Sequence, residues 1–312
     1  MHPVFSVIFF TVTSGAGYGL FVITALFNAI NPGNTLGSTG VLVACVIALV
    51  LITLGLISST FHLANPKNAW RAFSRVRTSW LAREGLLAVI FYPIAALYML
   101  TIWKGLGGYS WLVAISVLTA IWALTTIFST GMIYACLKTI RQWHNALTPV
   151  NYILLGAMLG GLIFLLLAAV FQTVSMNLVA TATYLIGIAA ISKIVYFFWI
   201  GTPAGPTINT ATSFTRSMVR LLDVGHTAGT FLTDEFGYQV ARARLIALRW
   251  LVLLFAFAIP ALTLWIGISV LPLTTALVVA VVSAFIGVMI ERWLFFAEAR
   301  HVVNLYHGTQ QC

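Results

Sequence analysis

Long apolar runs, each close to the ~20 residues that a bilayer core demands of a helix, recur along this chain and exclude most folds. Hydrocarbon offers no water to satisfy backbone N–H and C=O groups, so runs of this kind fold as helices. About eight can be read: residues 4–30, a second ending at His62, a third starting near Leu81, then 111–136, 151–171, 176–200, 245–270 and 273–296. The sequence therefore predicts an all-α polytopic membrane protein, a bundle of about eight transmembrane helices in a single integral domain spanning 1–312. With 61% hydrophobic and only 7% charged residues, an ordinary soluble domain is excluded. The first run lacks a basic leader and is too long for a signal-peptide core, so it is expected to be retained.

Charge then orients the bundle. A net charge of +10 would point to nucleic acid in a soluble protein, but here the basic residues flank apolar spans and no nucleic-acid-binding signature accompanies them. An even number of spans puts both termini on one face. That face also receives a basic loop at 64–80, Lys138 and Arg141, a long loop at 201–244, and Arg292 with Arg300. The long loop carries Pro203, Pro206, Arg216, Arg220, Asp223, Asp234 and Glu235, and is too small for a catalytic domain. The opposite face receives little beyond Lys104. Basic loops stay cytoplasmic, so the expectation is N-in/C-in with both loops in the cytoplasm.

Small and special residues fix local details. Gly15, Gly17 and Gly19 lie in an apolar span with no preceding strand, which argues against a phosphate loop and for close helix packing. Gly17 would alternatively leave room for a flat ligand ring. Gly156, Gly160 and Gly161 sit in the fifth span, and Pro93 is placed to kink the third. Trp103, Tyr109 and Trp111 mark the outer interface. Cys45, Cys136 and Cys312 show no C-x-x-C spacing, so iron–sulfur centres would belong to another subunit.

The most informative stretch runs from Gly55 to Glu84, GLISSTFHLANPKNAWRAFSRVRTSWLARE. Gly55, Ser58, Ser59 and His62 follow i, i+3, i+4, i+7 spacing and give one small, polar helix face ending in an imidazole. Pro66 stops helix continuation and Ser79 is placed to cap the next helix. His62 then closes one span and Glu84 opens the next, each about one turn inside the bilayer on the same side. Lys67, Arg71, Arg75, Arg77 and Arg83 fill the link between them. Intramembrane ionisable groups are costly and mark function.

The pattern HL-x-x-P-x-x-A-W-R-A-F followed by SWL-x-RE resembles the membrane anchor subunits of dimethyl sulfoxide reductase-type complexes, a kind of anchor shared by cytoplasm-facing sulfite dehydrogenases. The opening MHPVFSVIFFT and the later MIYACLKTIRQWHNALTPVNY are similar to these anchors too, so the resemblance covers most of the sequence. Ala64 departs from it, since relatives often carry Gly after His-Leu. The resemblance implies a bacterial inner-membrane complex of three parts: a molybdopterin catalytic subunit, a four-cluster iron–sulfur subunit, and this chain as the quinone-reactive anchor. It also implies that His62 and Glu84 bind quinol.

Quinone chemistry suits these residues. A quinone site needs lipid access, donors for two carbonyls and a path for two protons. His62 can donate to a carbonyl and exchange a proton near neutral pH, and a desolvated Glu84 can relay protons. Ser58, Ser59, Trp80, Arg77 and Gly17 complete the expected site, while Arg71, Arg75 and Arg77 are expected to dock an acidic partner. The plainer alternative has His62 bonding a loop carbonyl and Glu84 pairing with Arg83 or another loop arginine. Lys193 is expected to snorkel to the cytoplasmic interface, Glu291 to pair locally with Arg292, and Trp70 to anchor at the interface. His144, His226, His301 and His307 read as solvated. A b-type haem needs two axial histidines on facing helices, and only His62 is placed in a span, so neither haem nor metal is expected.

Three functions follow for comparison. A quinone-reactive anchor is favoured, with sulfite oxidation ahead of dimethyl sulfoxide reduction because the basic loops suit a cytoplasmic partner. A proton-coupled transporter using His62 and Glu84 is disfavoured by the scarcity of midplane polar groups. A purely structural anchor would keep quinone turnover without either residue.

Overall fold

A computed structural model describes residues 3–31, 36–63, 65–201, 205–214, 216–223, 228, 230, 236, 242–267 and 270–312. Eight helices within them are long and apolar enough to cross a membrane. They are α1 (Phe5–Ile30), α2 (Gly37–Thr60), α3 (Trp80–Lys104), α4 (Tyr109–Ala135), α5 (Leu147–Val170), α6 (Met176–Gly201), α7 (Arg244–Ile266) and α8 (Leu273–Ala297). No strand occurs among the described residues; isolated bridges Ile140–His301 and Thr207–Gln311 tie the C-terminal tail to the loops. The protein thus forms the eight-helix bundle expected from its hydropathy. Ala64, Pro203, His226, Asp234 and Glu235 lie outside the described residues.

Glycines explain why α1 and α5 form the centre. In lipid, helices associate through close packing rather than the hydrophobic effect, and small residues let backbones meet. Gly15 and Gly19 of α1 face Gly156 and Gly160 of α5, one turn apart on each helix. A Cβ on Gly19 would meet the Gly156 carbonyl oxygen at 1.9 Å, and one on Gly160 would meet the Leu20 nitrogen at 2.1 Å. Both helices are buried along most of their length. The packing expectation for Gly15 and Gly19 holds, and Gly156 and Gly160 are their partners.

Gly17 belongs to a second seam. A Cβ there would meet the Ala48 carbonyl oxygen of α2 at 2.6 Å, and one on Gly55 of α2 would meet Thr13 Oγ1 of α1 at 2.8 Å. Gly17 therefore serves contact with α2, and its surface offers no room for a ligand ring. This corrects the alternative reading of that residue.

Helix α3 starts where Ser79 accepts from the Ala82 amide at 3.4 Å, the expected cap, and ends at Gly105 in the left-handed conformation, φ 61°. It runs unbroken through Pro93. Its neighbour α4 is tied to it by Trp122, whose indole donates to the Leu87 carbonyl at 3.0 Å. Its contact with α2 is thinner and includes a Thr53–Tyr92 hydroxyl pair at 2.7 Å.

Two π-helical stretches flank Pro260, Leu253–Ala258 within helix α7 and Thr263–Gly267 running one residue past its end. Proline removes a backbone donor, and in lipid the freed carbonyls need side-chain partners. Ser283 of α8 donates to the Phe255 carbonyl at 2.8 Å, and Thr263 donates to the Pro260 carbonyl at 2.9 Å. Gly287 lets α8 approach closely: a Cβ there would meet the Ala256 nitrogen at 2.1 Å.

The connection before α5 is not a surface linker. Trp143 is buried in it, stacks on Phe295 with ring centroids 5.3 Å apart, and donates to the Phe295 carbonyl at 2.8 Å. Tyr134, Tyr152 and Phe296 complete this aromatic plug. His144 is exposed, with Nδ1 2.6 Å from the Ala135 carbonyl. His301 differs from its expected solvated state: half-buried, it accepts from the Val303 amide at 3.0 Å, and its partial burial lowers its pKa.

Candidate functional site

The link between α2 and α3 is built to stand at a membrane surface. Helix α2 ends at Thr60, and tight turns follow through the Phe61 and Leu63 amides, which donate to Ser58 and Thr60 carbonyls at 3.2 Å each. The residue before proline avoids the helical region. Pro66 then opens a 3₁₀ helix, Pro66–Arg75. Arg71, Arg75 and Arg77 on and beyond it are exposed, as is Trp70, which stacks beneath the Arg71 guanidinium at 5.7 Å.

His62 therefore lies two residues past the last helical residue of α2, exposed, rather than one turn inside the span. The helix unwinds before it because Asn65-Pro66 cannot extend a helical register. Among the described residues no hydrogen bond to the imidazole occurs, and partial desolvation lowers its pKa. The shift favours the neutral imidazole.

The polar face leading to His62 is largely engaged. Ser58 donates to the Ser6 carbonyl of α1 at 3.0 Å, and Ser59 donates to the Leu56 carbonyl of its own helix at 2.7 Å. Gly55 packs on α1. These residues hold α2 against α1 and aim the backbone towards His62.

Glu84 is placed differently. It sits in the second turn of α3, 5% exposed, and the Thr130 hydroxyl of α4 donates to its Oε1. No cation pairs with it among the described residues. Arg83 instead donates to the Val76 and Arg77 carbonyls at 2.9 and 2.7 Å and lies over the Trp80 ring at 4.3 Å. Trp80 meets Phe128 of α4 edge-on at 6.0 Å. The ion-pair alternative for Glu84 is thereby excluded. His62 and Glu84 share one end of the bundle, but no hydrogen bond or ion pair joins them.

Thr130 gives this carboxyl an unusual choice. Its hydroxyl also lies 3.2 Å from the Thr126 carbonyl, yet it carries one hydrogen. An ionised Glu84 accepts that hydrogen. A protonated Glu84 donates to Thr130, whose hydrogen turns to Thr126. Both charge states keep every partner satisfied, which is what a proton-relaying carboxyl requires. From α1, Tyr18 brings a buried hydroxyl with no hydrogen-bond partner among the described residues. Neither Thr130 nor Tyr18 was detectable in the sequence, because a lone hydroxyl in an apolar span carries no spacing signal.

A second group of charges lies deeper in the bundle. Lys193 of α6 is 1% exposed and ion-paired with Glu291 of α8, which also meets Arg292 at 2.9 Å. The local pair of Glu291 and Arg292 is as expected. The snorkelling assignment of Lys193 is wrong, because its ammonium turns inward to a carboxylate instead of running out to the interface. Period and depth on α6 gave no view of α8.

Likeness to known proteins bears on identity. This protein is 33% identical to the C subunit of the sulfite dehydrogenase of Allochromatium vinosum, over 99% of each of the two sequences. It is 28% identical to the C polypeptide of the anaerobic dimethyl sulfoxide reductase of Escherichia coli K12, over 41% of this sequence and 46% of that one. The family model for the DMSO reductase anchor subunit (DmsC) matches residues 1–297. With that match over nearly the whole sequence of an eight-helix bundle, the chain belongs to the DMSO reductase anchor subunit (DmsC) family.

Proposed function

We propose that this protein is the quinone-reactive anchor of a three-subunit molybdopterin and iron–sulfur oxidoreductase of a bacterial inner membrane. It passes electrons between the partner's iron–sulfur cluster and membrane quinone. The observation that carries the reading is Glu84, a buried carboxyl with a switchable Thr130 partner and no paired cation among the described residues, at the same end of the bundle as an exposed imidazole. Reduction of a quinone takes two electrons and two protons. His62 donates to one carbonyl from the interface, and Glu84 delivers protons from within. Arg71, Arg75 and Arg77 present an exposed basic surface to a four-cluster iron–sulfur subunit, which in turn holds the molybdopterin subunit. The distribution of Lys and Arg supports N-in/C-in topology with these partners in the cytoplasm. The anchor has no haem or metal of its own in this reading, so electrons enter and leave on that same face.

The likeness to a sulfite dehydrogenase subunit over nearly its full length favours sulfite as the electron donor and quinone as the acceptor. The reverse direction, quinol oxidation for dimethyl sulfoxide reduction, is supported over a shorter stretch. Purified intact complex should reduce a ubiquinone or menaquinone analogue with sulfite. Quinol oxidation with dimethyl sulfoxide, and no sulfite activity, would reverse the assignment.

A further inference from the structure

The buried charges between α6 and α8 are unexplained by a quinone site at α2 and α3. Two cations, Lys193 and Arg292, face one carboxylate, Glu291, so the cluster is not charge-balanced. Three charges removed from water cost more than their attraction returns unless further polar partners are supplied. Among the described residues partners are missing here: Arg292 Nε, Asn151 Nδ2 and Glu298 Oε2 are buried with no hydrogen bond. Such groups call for bridging water.

Aromatic side chains lie between the cluster and Glu84 on one side. Thr130, the partner of Glu84, lies one turn before Tyr134 on α4. The Tyr134 ring stacks on Tyr152 of α5, centroids 5.8 Å apart, and the Arg292 guanidinium lies 3.7 Å over the Tyr152 ring. The Tyr152 hydroxyl is buried with no hydrogen bond among the described residues, so it too calls for bridging water. On the other side, Glu298 just past α8 accepts from Arg249 at 2.7 Å, and the Arg249 side chain is 27% exposed. Burial holds the Glu298 carboxyl above the usual carboxylate range, with Arg249 opposing the shift. One end of this polar line is the candidate site and the other is water.

We propose that Glu291, with Lys193 and Arg292, forms a proton conduit linking Glu84 through Thr130, Tyr134 and Tyr152 to the aqueous face at Glu298 and Arg249. The inference rests on the quinone reading. It explains how protons reach a carboxyl whose nearest surface, the α2–α3 link, is covered by a docked partner. For each quinone reduced, the partner's cluster supplies two electrons and the conduit supplies two protons from the cytoplasmic side. Glu291 is faced by Lys193 from α6, Arg292 from its own helix and, further out, by Glu298 and Arg249.

The test uses the intact complex in four forms: wild type, Glu291→Gln, Glu298→Gln, and the paired Lys193→Met/Glu291→Met. The conduit predicts that all three variants lose quinone turnover by roughly tenfold or more. KM for quinone and activity with a soluble electron carrier should be unchanged. The alkaline limb of the pH profile should move to lower pH, and small weak acids should restore the rate. A structural ion pair predicts otherwise: the Met pair, an apolar replacement, keeps turnover. Full turnover in Glu298→Gln together with the Met pair overturns the conduit, as does a loss that no weak acid rescues. If Glu84→Gln is also fully active, the quinone reading itself has failed; if Glu84→Gln is slow while these variants are not, only the conduit has.

Discussion

Thr130 on α4 donates to Glu84 on α3 while also lying within hydrogen-bonding distance of the Thr126 carbonyl, so one hydroxyl serves a carboxyl in either charge state. The pair joins two helices.

Thr130→Val keeps volume but removes the donor. A buried acceptor left unpaired costs about 1–3 kcal/mol, so the purified protein should melt earlier and quinone turnover should fall. Thr130→Ser keeps the hydroxyl and should restore both. Equal melting and turnover in the Val and Ser forms would remove Thr130 from the site.

The α1–α5 crossing makes a packing prediction. Gly19→Leu must push the backbones apart, because even a Cβ meets the Gly156 carbonyl at 1.9 Å. The variant should fail to accumulate in membranes. Gly187→Leu on α6, where a Cβ meets nothing within 4 Å, should accumulate as wild type. Membrane yield by immunoblot distinguishes them.

Changing Arg71, Arg75 and Arg77 together to Glu reverses the exposed charge of the link without touching a buried contact. The iron–sulfur partner should move to the soluble fraction, and wild-type binding should weaken with added salt. Full retention with normal activity would show that these arginines act only in topology.

His62 sets a pH dependence. Partial desolvation lowers its pKa, so the imidazole is neutral at pH 7. Quinone turnover that needs the neutral form is complete above the ordinary imidazole range and is lost as pH falls through the lowered value. In His62→Gln that acid limb should vanish at a reduced rate. Its persistence would assign the limb to another group.

The sequence was most legible where one helix states its own requirements. Span lengths, the Ser79 cap and the packing role of Gly15, Gly17 and Gly19 follow from local rules of burial, capping and size. It was least legible where a residue's meaning lies on another helix. Lys193 reads as a snorkelling cation until Glu291, 98 residues away, is brought against it. Trp143 reads as part of a basic linker until the Phe295 carbonyl takes its indole proton. Gly17 was ambiguous because close helix contact and room for a ring both select glycine. His62 moved out of the helix because terminal turns are decided by Pro66, four residues on, rather than by the apolar pattern.

The most direct test is turnover of a quinone analogue by the intact complex carrying Glu84→Gln and His62→Ala, alone and together. His62→Ala removes a carbonyl donor and should weaken quinone binding by roughly 1–3 kcal/mol. Glu84→Gln retains the Thr130 contact but cannot relay a proton, so it should lower kcat more than it raises KM. Activity with a soluble carrier at the catalytic subunit should be preserved in both. Normal quinone turnover in the assembled double variant would contradict the account.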